Sequence, residues 1–224
     1  MAKILVTGSG KGLGKAIAEA LTSCGHDVYG YDIEDGFDVL KPELELITDE
    51  LDILINCAGV NIINWLENFD EQDWDKVVDT NAKAIYMMTK AALPMLIESK
   101  GTVVNIVSNA AHMPMTCSLA YNASKGAAHI MTQQLARELT KKHGITVFGI
   151  APNKLKGTGM SDDIDNQVVA TRGWTKEYAQ EYQLAGLLTG QETDPARVAE
   201  FLAFLLQSKE HHQALTGCIL PYGA

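Results

Sequence analysis

The sequence predicts an α/β fold: a doubly wound parallel sheet with helices on both faces, in three layers. Three observations carry that expectation. Short apolar runs of four to six residues alternate along the chain with stretches of helical periodicity, as strands buried on both faces require. The first run, KILVT (3–7), feeds directly into a glycine-rich turn, TGSGKGLG (7–14), that opens a helix. The 224 residues hold no repeat, low-complexity tract or linker, which suits one domain over 1–224 with a full core.

After KILVT, the residues Ala16, Ile17, Ala20 and Leu21 recur at helical spacing. DVYGYD (27–32) reads as the second strand and DILIN (52–56) as the next. KPELELITDE (41–50), between them, is long enough for one short crossover helix. From Glu71 to Glu98 runs a long amphipathic stretch interrupted by Pro94. TVVNIV (102–107), a helix from about Tyr121 to Lys142, and ITVFGI (145–150) continue the alternation. Asp194-Pro195 opens another helix, the aspartate as cap and the proline at its first position. GCIL (217–220) reads as the last strand. Residues 153–193 fit the alternation poorly: they are polar at first, then carry Trp174, Tyr178, Tyr182 and Leu184 on a candidate helix. A long excursion at the C-terminal ends of strands is either a lid over a ligand crevice or a surface insertion or subunit contact.

Composition narrows the function. A formal charge of −10 argues against a nucleic-acid partner, whose binding rests on Lys and Arg. No apolar run approaches membrane-spanning length, and MAKILVTGSG lacks the apolar core and cleavage site of a signal peptide, so a cytoplasmic location is expected. Cys24, Cys57, Cys117 and Cys218 match no zinc spacing and read as small buried fillers in a reducing compartment; His211 and His212 read as a solvated loop. No metal is indicated.

The glycine turn is the first site signal. Gly8, Gly10, Gly12 and Gly14 let backbone approach a ligand without an intervening Cβ, and the helix that follows offers free N–H groups to a pyrophosphate. Its spacing is not GxGxxG, but its place between an apolar strand and a helix strengthens it. Asp32, 24 residues after Gly8 at the end of the second strand, is either a ribose-binding carboxylate or a simple turn residue. As a ribose ligand it repels a 2′-phosphate and favours NAD, while Lys11 in the glycine turn partly offsets that repulsion and leaves NADP open.

A catalytic set lies in AYNASKGAAH (120–129). Tyr121 and Lys125 stand one helical turn apart among small residues, and Ser108 closes a strand thirteen residues upstream. With the glycine turn, these residues resemble the short-chain dehydrogenase/reductase family across nearly the whole chain. TGSGKGLG is similar to its TGxxxGxG turn, NCAG (56–59) to its NNAG stretch, DTNAK places Asn81 at its catalytic asparagine, and YNASK is its YxxxK. The resemblance implies a Rossmann-like fold and an NAD(P)-dependent oxidoreductase interconverting a secondary alcohol and a ketone. It implies Tyr121 as general acid/base, Ser108 holding the substrate oxygen, Lys125 favouring the phenolate and binding the nicotinamide ribose, and Asn81 holding a water in a proton relay. A free tyrosine near pKa 10 needs about 4 kcal/mol of differential stabilisation to act as a base near neutrality.

The cofactor is expected against Gly8, Ser9, Gly10, Lys11, Gly12, Leu13, Gly14 and Asp32. The resemblance adds Asp38 and Val39 near the adenine, and Asn56, Ala58, Gly59, Pro152, Leu155 and Thr158 along the remainder. Ser108, Asn109, Met113 and Asn153 are the expected substrate contacts, with Val60, Asn61, Ile62 and His112 lining the pocket. No arginine pair awaits a carboxylate or phosphate, which favours a neutral alcohol or ketone. Two departures from the family are visible. Only Ile33 to Gly36 separate Asp32 from FDV (37–39), too few for a parallel crossover, so that sheet edge should be trimmed or irregular. In APNKLKGTGM (151–160), Asn153 stands where the family has glycine, and a left-handed asparagine there would preserve the turn. Relatives are dimers or tetramers. The rival reading is a non-catalytic dinucleotide-binding scaffold or redox sensor; a third is epimerisation or dehydration on the same fold.

Overall fold

Six strands, β1 (Lys3–Thr7), β2 (Asp27–Tyr31), β3 (Ile53–Asn56), β4 (Thr102–Ile106), β5 (Thr146–Pro152) and β6 (Ile219–Tyr222), form one parallel sheet. The computed structural model describes residues 1–223. The strand order is β2-β1-β3-β4-β5-β6, with Ile4 beside Ile53, Ile53 beside Thr102 and Thr102 beside Thr146.

Alternation along these strands builds two cores. Ile4, Val6, Ile53, Ile55, Val104, Ile106, Phe148 and Ile150 face α1 (Gly12–Ser23) and α7 (Pro195–Leu206), meeting Ile17, Leu21, Val198 and Leu202. Leu5, Leu54, Val103 and Val147 face the other way, onto Met88, Ala92 and Leu96 of α3 (Ala84–Ser99) and Ala136 and Leu139 of α4 (Leu119–His143). Period-two side chains under helices on both faces are what a buried parallel sheet demands, and each fully buried Leu, Ile or Val contributes about 1.5–3 kcal/mol.

The trimmed edge is real. Among the described residues no strand follows β2 on its outer side, and FDV lies in loop and turn. The expected crossover helix over 41–50 is reduced to one 3₁₀ turn, Leu44–Leu46. The side chains of Tyr31, Leu44 and Leu51 plug the second core where a full helix would lie, so the chain crosses the sheet without one.

Several other expectations need correction. The stretch 71–98 is broken not at Pro94, which sits inside α3, but by a π-turn, Asp79–Lys83, between α2 (Glu71–Val78) and α3. The last strand is shifted two residues beyond GCIL. Cys24 and Cys218 are exposed rather than buried. His212 is not in a solvated loop: it is buried on α8 (Lys209–Gln213), its Nε2 3.0 Å from Thr102 Oγ1. Residues 153–193 form two helices, α5 (Gly159–Arg172) and α6 (Lys176–Ala185), with Trp174 on the link between them.

Candidate active site

The strand order reverses between β1 and β3, and in open α/β sheets ligands bind beyond the strand ends at such a switch point. Both glycine segments meet there. Thr7 Oγ1 accepts hydrogen bonds from the Cys57 and Ala58 N–H groups, both at 3.0 Å, tying the end of β1 to NCAG. Gly8 adopts φ +69°, and a Cβ there would stand 2.8 Å from the Ala58 Cα. At Gly14 a Cβ would meet the Gly8 carbonyl oxygen at 2.0 Å. Only glycine fits such approaches.

This geometry fits a dinucleotide. Helix α1 starts at Gly12 with neither a side-chain cap nor an acidic residue in its first turn, leaving its N–H groups for a pyrophosphate. Asp32 is buried at the end of β2; its Oδ2 accepts from the Gly10 N–H at 2.8 Å and its Oδ1 from the Glu34 N–H at 3.0 Å. Asp32 thus makes the turn-forming contact weighed as its simpler role, at the end of β2 beside the glycine turn. Lys11 pairs with Glu34 at 3.1 Å, a partner the sequence alone did not reveal. Thr158 caps α5 by accepting from the Ser161 N–H at 3.2 Å, and its side chain lies 3.7 Å from where a Gly12 Cβ would stand, facing the glycine turn. Of the other expected residues of this turn, Leu13 is instead buried in the first core, and Ser9 Oγ faces Gly30.

Not every expected cofactor residue turns towards it. Asn56 points into the sheet, its Nδ2 donating to Asn105 Oδ1 at 2.9 Å and Thr89 Oγ1 at 3.4 Å. Asp38 is spent on the Leu40 N–H at 2.9 Å, and Val39 packs on the second core. Leu155 pairs with Thr193 as an isolated bridge, just past Pro152 at the end of β5.

The proposed catalytic residues converge. Asn81 sits in the π-turn, almost fully buried; its Oδ1 accepts from the Val60 N–H at 2.8 Å, and its Nδ2 donates to the Val60 carbonyl at 2.9 Å and Ser124 Oγ at 3.0 Å. A π-turn rotates one residue out of the α-helical phase, which is how this side chain turns inward between two ordinary helices. Lys125 is buried on α4, with Nζ donating to the Ile106 carbonyl at 2.9 Å and lying 5.8 Å from the Tyr121 ring centre. Gly59 borders both: a Cβ there would stand 3.2 Å from Asn81 Oδ1 and 3.8 Å from Lys125 Nζ. Ser108 accepts from the Ala110 N–H at 3.2 Å and donates to Asn109 Oδ1 at 3.3 Å.

Burial sets the charges. It lowers the Lys125 pKa from 10.5 to about 8, so the ammonium still prevails at pH 7. Part of Tyr121 reaches solvent, yet burial raises its phenol above the ordinary value, with the Ser108 side chain pulling the other way. The lowering expected from Lys125 is not found: burial dominates at the phenol, and the ammonium is directed at the Ile106 carbonyl. Burial pushes the Cys57 thiol up to about 12, which leaves it unreactive beside Lys125.

The expected substrate contacts divide. Asn109 flanks Ser108, whereas Met113 is half exposed. Asn153 is not left-handed; it is buried, accepting from Thr193 Oγ1 at 2.5 Å and donating to the carbonyl of Gly223, just past β6. The backbone reversal it was to supply is made by Gly157, at φ +62°. Sequence reasoning missed the residues that fix the pocket walls. Asn122 holds the loop after Ser108, donating to the Ala110 and Met113 carbonyls at 2.6 and 2.7 Å and accepting from the Met115 N–H at 3.2 Å. Helix α5 reaches the loop after NCAG: Gln167 Oε1 accepts from the Ile63 N–H at 2.7 Å, and the Thr171 carbonyl from Trp65 Nε1 at 3.1 Å. Arg172 donates to the Thr116 carbonyl at 2.6 Å, its guanidinium 4.8 Å from the Trp174 ring centre. No motif marks these amides and this arginine; only the placing of Asn122 on α4 and of Gln167 and Arg172 on α5, each against a loop, gives them a role.

Comparison with known proteins accords with this geometry. The profile of the family described as short chain dehydrogenase matches residues 43–168. A 3-oxoacyl-[acyl-carrier-protein] reductase of Vibrio cholerae is 32% identical over 228 residues, covering 90% of this chain and 88% of its own. One from Staphylococcus aureus is 28% identical over 232 residues, covering 89% of each. Among solved structures, a short chain dehydrogenase family protein from Francisella tularensis superposes with a TM-score of 0.86 at 27% identity, over 99% of this chain and 96% of that one. A variant of actinorhodin polyketide ketoreductase with NADPH gives 0.87 at 26% identity, over 98% and 95%. In the described residues no helix is long and apolar enough to cross a membrane.

Proposed function

This chain belongs to the short-chain dehydrogenase/reductase family and is an NAD(P)-dependent oxidoreductase of alcohol and ketone groups, and we propose that it reduces a neutral ketone with NADH, Tyr121 acting as general acid. The observation that carries this reading is the meeting of Asn81, Lys125 and Gly59 beside Tyr121, at the switch point of the sheet. The bound nicotinamide supplies or accepts the hydride. Ser108 holds the substrate oxygen as charge develops on it, and Tyr121 donates a proton there. A phenol kept protonated by burial starts in the form that reduction needs. Lys125 then stabilises the phenolate left behind, and Asn81, fixed to Val60 and Ser124, orders the route by which the proton is replaced.

NADH is favoured over NADPH because Asp32 occupies the ribose position and Lys11, the cation that would offset it, is engaged by Glu34. Helices α5 and α6 act as the lid over the substrate within the single domain 1–224, anchored through Gln167, Thr171 and Arg172. The reading includes a cytoplasmic enzyme that pairs with copies of itself through α3 and α4, where Tyr86, Ile97 and Ile130 are exposed. Titration with NADH and NADPH, followed by nicotinamide fluorescence, tests the cofactor choice; tighter NADPH binding would overturn it. Tyr121→Phe tests the acid: turnover should fall at least about a thousandfold, within the range general acid–base catalysis supplies. Normal turnover by that variant would leave the scaffold reading in its place.

A further inference from the structure

Between the catalytic asparagine and the lid runs a short bridge of backbone. Val60 is pinned at both its N–H and its carbonyl by Asn81, and Ile63 is pinned by Gln167, with Thr171 Oγ1 donating to its carbonyl at 3.4 Å. Asn61 lies on this bridge. It is only 9% exposed, and its Oδ1 is enclosed without a hydrogen-bond partner. Buried amides are almost always paired, and an unpaired one is costly to keep. Asn56 Oδ1 is also unpaired, but it lies within the sheet, where Asn105 and Thr89 hold the same side chain. Asn61 instead stands two residues from Gly59, on the wall between the reacting centre and α5.

Of the cations around this crevice, Lys154 pairs with Asp165 and Glu192 and Lys11 with Glu34, while Lys125 and Arg172 meet only the carbonyls of Ile106 and Thr116. A hydroxyl satisfies an amide in either orientation, donating to its oxygen or accepting from its nitrogen. The geometry points to Asn61 as a specificity-determining residue that hydrogen-bonds a hydroxyl beside the reacting carbonyl, which makes the substrate class hydroxyketones and the polyols they yield. This inference rests on the ketone-reducing reading above.

Two isosteric pairs test it: hydroxyacetone against butanone, and dihydroxyacetone against diethyl ketone, each reduced with NADH. The wild type should favour the hydroxylated member of each pair by about tenfold or more in kcat/KM, the worth of one hydrogen bond in a closed site. Asn61→Leu should bring both ratios close to one by raising KM for the hydroxylated ketones while sparing the plain ones. It should also melt no lower than the wild type, because it removes a buried amide oxygen that has no partner. An unchanged ratio in Asn61→Leu overturns the inference, as does equal use of both ketones by the wild type. A lower melting temperature for Asn61→Leu also overturns it, by making Asn61 structural. Reduction of no ketone by the wild type with either cofactor removes the ketone-reducing reading itself, and the inference falls with it.

Discussion

Lys125 should make the cofactor-free protein less stable than it could be, by an amount that depends on pH in a defined way. Its pKa is about 8 in the folded protein against an ordinary 10.5. At about 1.36 kcal/mol per pKa unit, burying the ammonium costs about 3 kcal/mol at neutral pH. The folded state disfavours the charged form, so below pH 8 both states carry the proton and the full penalty applies. Between pH 8 and 10.5 the folded protein sheds a proton that the unfolded chain keeps, and the penalty fades as pH rises. The wild type should therefore gain about 2 kcal/mol between pH 7 and 9.5 relative to Lys125→Met. Comparing the two proteins cancels the opposing contribution of Tyr121, whose phenol is raised. The Ile106 hydrogen bond lost in Lys125→Met separates the two curves by an amount that does not depend on pH. Urea unfolding of both proteins across that range, followed by circular dichroism, measures the difference. Parallel curves would show that Lys125 is not held short of its proton, and the account of its electrostatics would be wrong.

Other substitutions have equally direct outcomes. Gly14→Ala places a methyl 2.0 Å from the Gly8 carbonyl, so it should abolish NADH binding in a fluorescence titration and lower the melting temperature; normal binding would mean the turn is looser than described. Glu34→Gln frees Lys11 and should shift the NADPH-to-NADH affinity ratio towards NADPH several-fold, an effect weakened by salt because the pair is exposed. Lys154→Met leaves Asp165 and Glu192 without their shared cation; it should cost about 1–3 kcal/mol and speed tryptic cleavage within 159–192, while unchanged digestion would show that the lid is held elsewhere.

The sheet was legible in the sequence because its strands are apolar on both faces, and KILVT appears with the same bounds in both readings. So was the convergence on Tyr121, since YNASK fixes phenol and ammonium on one helical face and the glycine turn needs a strand before it. The break at 79–83 was not legible: no residue in DTNAK forbids an α-helix, and it is the bonds Asn81 makes with Val60 and Ser124 that accompany the π-turn. The environment of His212 escaped for a similar reason, because its partner Thr102 is 110 residues away. Asn153 misled because its turn-forming preference was weighed locally, whereas its side chain is claimed by Thr193 and Gly223 from the far end of the chain. The pairing of Lys11 with Glu34 required knowing that the glycine turn and the end of β2 lie side by side.

The shortened crossover also has a bearing on solubility. With no strand beyond it, β2 presents one side of its backbone unpaired, the kind of rim along which sheets of separate molecules join. Three features of DVYGY limit that hazard. The strand is only five residues long, Gly30 is exposed at its fourth position, and Asp27 begins it with a carboxylate held by the Tyr29 hydroxyl at 2.7 Å. A strand added from a neighbour would have to bury or displace that charge. Replacing Asp27 with a β-branched residue would turn this rim into a point of self-association, while Gly30 must stay, because a Cβ there would stand 2.6 Å from the Ser9 Oγ of the glycine turn.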